Sequence, residues 1–282
     1  MLFGRKESAM GIFDGILICT DLDGTLLRND KSISAENIAA IEHFKREGGL
    51  FTFVTGRMPY FVSDMYERVR PNAPIGCING AGVYDFAKGA YLAISELSSE
   101  AITLVRAVEE SFPDVGVQVN TFQNVYFCKE NDTMEIFRRR TGLPNLTCRY
   151  DEINEPIAKI IFGHEDEATL LAVADLLAAH PLSAEFSFIR SEETLYEILP
   201  AGVGKGTALV RIVEALSCDI AKTVAIGDYS NDVSMLRAAA LGVAVANACS
   251  EAKAAADCVT VSNEEHALAA VIEGLERGLY TL

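Results

Sequence analysis

The sequence predicts an α/β chain: a parallel sheet assembled from its two ends, with an α+β unit inserted between them. Three observations carry this. Strand and helix patterns alternate up to about Gly82 and again from Gly204. Strand candidates crowd together in the section between. Two apolar runs far apart in the chain each end in aspartate: Ile16-Leu17-Ile18-Cys19 leads to Asp21, and Val224-Ala225-Ile226-Gly227 to Asp228. Ligands of open α/β sheets bind at the carboxyl ends of strands, so the two runs point to one shared cation site.

The elements follow in order. Ser34 is the expected N-cap of a helix over 35–47, closed by Gly48-Gly49. A strand over Leu50–Val54 ends in Thr55-Gly56-Arg57, ahead of a helix. A short strand over Pro74–Ile78 ends in Asn79-Gly80-Ala81-Gly82. The alternation implies right-handed crossovers. From Val83 the strand candidates are Val83–Asp85, Tyr91–Ile94, Val115–Val119, Val125–Phe127, Ala158–Phe162 and Ala184–Ile189. Helical runs over Ala101–Glu110 and Asp166–Ala179 accompany them, and Leu195–Leu199 reads as the way back out. The expected sequel is helix Thr207–Leu216, strand Thr223–Ile226, helix Ser230–Ala239, strand Gly242–Val245, and helices Glu251–Ala256 and Glu264–Glu276. The expected division is an N-terminal extension (1–10), a core (11–83 and 194–282) and an inserted unit (84–193).

Bulk properties narrow the function. The chain has 282 residues, half of them hydrophobic, enough for a sizeable core. Its formal net charge of −16 disfavours polyanions and so argues against nucleic acid. The seven cysteines form no CxxC pair, which fits reduced thiols in a cytoplasmic protein. The first residues do not read as a signal peptide, no apolar run is long enough to cross a membrane, and Met10 is a second candidate start.

Four motifs carry chemistry. Asp21-Leu22-Asp23-Gly24-Thr25 lacks the spacing of an EF-hand loop. Thr55-Gly56 offers a hydroxyl and a backbone N–H at a strand end, suited to phosphate. Gly202-Val203-Gly204-Lys205-Gly206-Thr207 fails the P-loop pattern, because glycine follows the lysine. Its lysine sits at a helix start, where the dipole disfavours a cation, so Lys205 is expected to neutralise an anion. In Gly227-Asp228-Tyr229-Ser230-Asn231-Asp232 the two acids lie one helical turn apart and can face one point. None of the histidines (His43, His164, His180, His266) lies in these motifs, and an oxygen-only site favours Mg²⁺ over zinc.

The four motifs, in this order, resemble the haloacid dehalogenase (HAD) superfamily of aspartate-nucleophile phosphohydrolases. The long insertion and Asn79-Gly80-Ala81 resemble its Cof-type branch, with a large C2-type (IIB) cap. That resemblance implies a Rossmann-like core and a Mg²⁺-dependent phosphatase acting on small phosphorylated metabolites, sugar phosphates first, in the cytoplasm as a monomer or homodimer. It implies Asp21 as nucleophile and Asp23 as general acid and base. Thr55, Gly56, Lys205 and Asn231 would hold the phosphoryl group. Asp21, the Asp23 carbonyl and Asp228 would hold Mg²⁺, with Asp232 behind them. Ser230 departs from the glutamate that many relatives carry. Asn120, Lys159 and Arg190 are the candidate substrate contacts from the cap. The alternatives are a phosphotransferase or mutase of the same chemistry and a non-catalytic sensor of phosphorylated ligands.

Overall fold

A computed structural model describes residues 11–282; the extension expected over 1–10 lies outside the described residues. In chain order the strands are β1 (Leu17–Thr20), β2 (Leu50–Phe53), β3 (Ile75–Cys77), β4 (Gly82–Asp85), β5 (Ala90–Ile94), β6 (Gly116–Thr121), β7 (Val125–Lys129), β8 (Ile157–Gly163), β9 (Phe186–Glu192), β10 (Leu195–Pro200), β11 (Thr223–Gly227), β12 (Leu241–Ala244) and β13 (Cys258–Val259). The helices are α1 (Ala35–Arg46), α2 (Ser63–Val69), α3 (Ala101–Ser111), α4 (Asp132–Thr141), α5 (Glu167–Ala179), α6 (Lys205–Leu216), α7 (Val233–Ala238), α8 (Ser250–Ala255) and α9 (Ala267–Glu276).

The core is a parallel sheet of order β13-β12-β11-β1-β2. Every residue of β1 is buried, as expected of a strand covered on both faces. Helix α1 begins where the sequence indicated: Ser34 Oγ accepts from the Asn37 N–H (3.2 Å). The register sets the site. Thr20 lies opposite Ile226 on one side and Phe53 on the other, so β1, β11 and β2 end level with one another. Asp21, Asp228 and Thr55 leave those three ends.

The inserted sheet has the order β7-β6-β8-β10-β9 and is antiparallel. Its side chains alternate between faces. Val117, Val119, Ile160, Phe162 and Ile198 pack with Leu104, Val108, Val173 and Leu177 of α3 and α5. Gln118, Asn120, Lys159, Ile161 and Glu197 point the other way and border a cavity over the strand ends of the core.

Sheet membership differs from the sequence reading at both joins. β10 is paired on both sides, with β8 and β9, so Leu195–Pro200 belongs to the inserted sheet and not to the way out. β4 and β5 pair with β3, which continues the core through a parallel bridge between Val54 and Gly76. Residues 84–94 therefore sit with the core. Helix α4 and the short edge strand β13 had no counterpart in the sequence reading.

Candidate active site

Asp21 follows β1 directly, its N–H donating to Ile226 O (2.8 Å). Its carboxylate is buried and accepts from Lys205 Nζ (2.5 Å). The same ammonium donates to Asp232 Oδ1 (2.6 Å). Asp232 Oδ2 accepts the backbone N–H groups of Asp228 (2.9 Å) and Tyr229 (3.0 Å). Asp232 thus fixes the lysine and the loop after β11, and both of its oxygens are engaged. Asp228 Oδ1 accepts from Thr25 Oγ1 (2.8 Å). Gly24 adopts φ +82°, and a Cβ there would lie 2.5 Å from Asp228 Oδ2. Glycine is what lets the loop after β1 close against Asp228.

One cation faces three carboxylates. Asp21, Asp228 and Asp232 can each offer an oxygen, all within 4.8 Å of one another. Burial pushes the Asp21 carboxyl well up, with Lys205 opposing and Asp232 and Asp228 adding to the rise. Burial, then Asp232, pushes Asp228 up to about 6. Lys205 shows the converse: burial works against its charge, yet Asp21 and Asp232 hold its pKa above the usual lysine range. A hard, oxygen-rich set with surplus negative charge fits a divalent cation such as Mg²⁺.

Asp23 is differently placed. Arg57 grips it with two bonds, Nε to Oδ2 (2.8 Å) and Nη2 to Oδ1 (2.7 Å), and Lys31 Nζ adds a third (2.8 Å). Burial alone would raise its carboxyl, but Arg57 and Lys31 hold it below the usual range. Thr55 is buried, with Oγ1 accepting the Arg57 N–H (3.2 Å). Thr55, Gly56 and Asn231 border the cavity beside Asp21 and Lys205.

The cavity measures about 690 Å³. From the inserted sheet, Asn120 and Lys159 border it. Lys159 is committed to Glu197 (2.9 and 3.0 Å) and to Gly56 O (3.3 Å). Arg190 does not border the cavity: Glu167 Oε1 (2.9 Å) and Glu193 O (2.7 Å) occupy its guanidinium. Its neighbour Ser191 borders the cavity instead. Gln118 was not anticipated. It is buried, its Nε2 donates to Asn120 Oδ1 (2.6 Å), and its Oε1 has no partner among the described residues. The only sequence signal for it was a polar residue two before Asn120 in an otherwise apolar strand.

Residues 18–272 match the haloacid dehalogenase-like hydrolase family. The chain belongs to that family. It is similar to the 5-amino-6-(5-phospho-D-ribitylamino)uracil phosphatase YitU of Bacillus subtilis, with 28% identity over 90% of this chain and 94% of that protein. It is also similar to the pyridoxal phosphate phosphatase YbhA of Escherichia coli, with 26% identity over 91% and 97% of the two chains. Among solved structures, a haloacid dehalogenase-like hydrolase from Bacteroides thetaiotaomicron superposes with a TM-score of 0.76 at 25% identity, covering 92% of this chain and 98% of that one. The fold is the HAD core with a cap, and the protein is a phosphomonoester hydrolase of the Cof type. Among the described residues no helix is long and apolar enough to cross a membrane.

Proposed function

We propose that this phosphatase is Mg²⁺-dependent and works through an aspartyl-phosphate on Asp21. The observation that carries the reading is the buried set of Asp21, Lys205, Asp232 and Asp228 at the ends of β1 and β11. Asp21 and Asp228, with the Asp23 carbonyl, would hold Mg²⁺, and Asp232 would support them from behind. Bound there, Mg²⁺ would offset the repulsion between a phosphate dianion and a carboxylate nucleophile.

The residues supply the remaining chemistry. An Asp21 oxygen forms the new bond to phosphorus as the bond to the leaving oxygen breaks, and Asp23 gives that oxygen its proton. Water then attacks the acyl phosphate, Asp23 takes the proton, and Asp21 and inorganic phosphate are released. Thr55 Oγ1, the Gly56 N–H and Asn231 would hold the phosphoryl oxygens. Lys205 has three N–H donors and spends two on Asp21 and Asp232, leaving one for phosphate. Before Asp23 can act as an acid, Arg57 and Lys31 must release its carboxyl.

For substrate we favour a small sugar or polyol phosphate. Gln118 lines the cavity and its buried Oε1 has no partner among the described residues, so a substrate hydroxyl that reached it would satisfy it whichever way the amide is turned. YitU, named for a phosphoribityl compound, is consistent with that. Asn120 would share this contact. We take residues 11–95 and 201–282 as the core domain and 96–200 as the cap, following the strand pairing. The acidic charge and free thiols fit a cytoplasmic enzyme, monomeric or dimeric, without nucleic-acid partners.

The test is phosphate release from para-nitrophenyl phosphate with and without Mg²⁺, comparing wild type with Asp21→Asn. The expected result is turnover that needs Mg²⁺ and is lost in the variant. Equal turnover by both proteins removes Asp21 as nucleophile. Phosphate transferred to an added alcohol in place of water would favour a phosphotransferase, and tight ligand binding without turnover a sensor.

A further inference from the structure

Ile78 (φ 53°) and Asn79 (φ 52°) stand in succession in the left-handed region, followed by Gly80 (φ 96°). For a β-branched residue such as Ile78 this conformation is strained, and it persists only where the surroundings hold it. Here the surroundings are the catalytic loops. The Ile78 N–H donates to Arg57 O (3.0 Å) and the Asn79 N–H to Thr55 O (3.0 Å). Gly80 lies so near the start of α6 that a Cβ would sit 2.0 Å from Gly204 O.

This turn aims one fully buried side chain at two partners. Asn79 Oδ1 accepts from Asn231 Nδ2 (3.1 Å), and its Nδ2 donates to Glu197 Oε2 (2.9 Å). Glu197 belongs to β10 of the inserted sheet. Lys159 of β8 neutralises it and also donates to Gly56 O, across the domain boundary. A buried ion pair is costly, and apolar residues of similar volume commonly hold a fold as well or better. Stability alone therefore does not explain its place, at the point where the inserted sheet meets the Thr55-Gly56 and Asn231 loops.

We infer that Asn79, Glu197 and Lys159 are positioning residues that act as one unit, docking the inserted sheet onto the core and fixing Gly56 and Asn231 for phosphate. The inference rests on the phosphatase reading of the site and is independent of which ester is cleaved. It gives Lys159 a role in assembling the site in place of the substrate contact expected from sequence.

Two variants separate the unit from the fold. Lys159→Met with Glu197→Leu removes both charges and keeps the volume. Asn79→Gly keeps the left-handed turn and removes the amide. The full-length proteins are compared by amide hydrogen exchange and by turnover of para-nitrophenyl phosphate with Mg²⁺. Each variant is expected to speed exchange at residues 54–58 and 77–81 about tenfold or more. Each should lower kcat about tenfold or more with KM little changed, and their combination should be no worse than the more damaged of the two. Faster exchange confined to residues 157–163 and 195–200 with kcat retained overturns the inference, as do losses that multiply. If the paired variant does not fold, Asn79→Gly decides alone. A wild type without Mg²⁺-dependent turnover counts against the phosphatase reading, while the exchange pattern still decides the coupling.

Discussion

At the scale of single residues, two carboxylates two positions apart live in opposite environments. Asp21 is buried against other acids and held by one lysine, whereas Asp23 is gripped by Arg57 and Lys31. Such divergence commonly marks separate chemical roles. Asp21→Asn is expected to lower kcat on the order of 10³-fold or more while leaving the fold intact, measured as phosphate release beside circular dichroism. Arg57 sets the state of Asp23. Removing it leaves burial as the leading influence, so the Asp23 pKa rises. In Arg57→Ala the limb of the kcat/KM profile at which this acid loses its proton should therefore move to higher pH, whatever happens to the maximum rate. A limb that stays in place would show that Asp23 is not the group titrating. Asp228 has the opposite sign. Its folded pKa of about 6 lies above its ordinary value of 3.8, so the stability it contributes is full below the lower value and is lost as pH rises through the higher one. Asp228→Asn should accordingly raise the melting temperature of metal-free protein at pH 7.5 by several degrees and leave it nearly unchanged at pH 4. It should also abolish any rise in melting temperature that Mg²⁺ gives the wild type, since mass action needs the ligand.

At the scale of elements, α6 starts on the residue its dipole least favours. Lys205 is the first residue of the helix and is buried, and two carboxylates outweigh that misfit. Lys205→Met should destabilise the protein by about 3–5 kcal/mol in urea unfolding, because it leaves buried acids without their cation. Retained stability would mean that the acids take up protons or another cation at no cost. The misfit at Lys205 was visible in the sequence, as were the acids closing β1 and β11, because an acid that ends an apolar run signals a buried site. The partners of β10 were not. Leu195–Pro200 is an apolar run broken by Glu197, and nothing local says which strands will flank it. Only the pairing with β8 and β9 puts Glu197 beside Lys159. The same limit hid the sheet membership of β4 and β5, whose alternation suits any sheet edge and whose place beside β3 comes from packing. Arg190 and Gln118 show it at the level of faces. Both lie on strands of the inserted sheet, but a strand has two faces, and one sequence does not say which of them meets the cavity.

At the scale of the whole molecule, the strand pairing supports the proposed joins between core and cap at 95/96 and 200/201. The sequence put the boundaries of the inserted unit at residues 84 and 193, and these positions lie within or beside paired strands. Rigid ladders do not bend easily, so any hinge is expected at the crossings outside the strand pairing, near Glu96 and Ala201–Gly202. Lys159 touches Gly56, and side chains of the inserted sheet border the cavity, so closer approach of that sheet during attack would keep out water other than the hydrolytic one. The expectation is that the cap lifts about those two crossings to admit substrate. Small-angle scattering on the full-length protein should give a smaller radius of gyration with Mg²⁺ and orthovanadate, a phosphate mimic, than with neither. Identical radii in both conditions would mean that the cap stays down and that substrate enters through a fixed mouth. A contraction in wild type that is lost in Asn79→Gly would tie the closure to the contact between Asn79 and Glu197, because that bond joins the cap to the core at the phosphate loop.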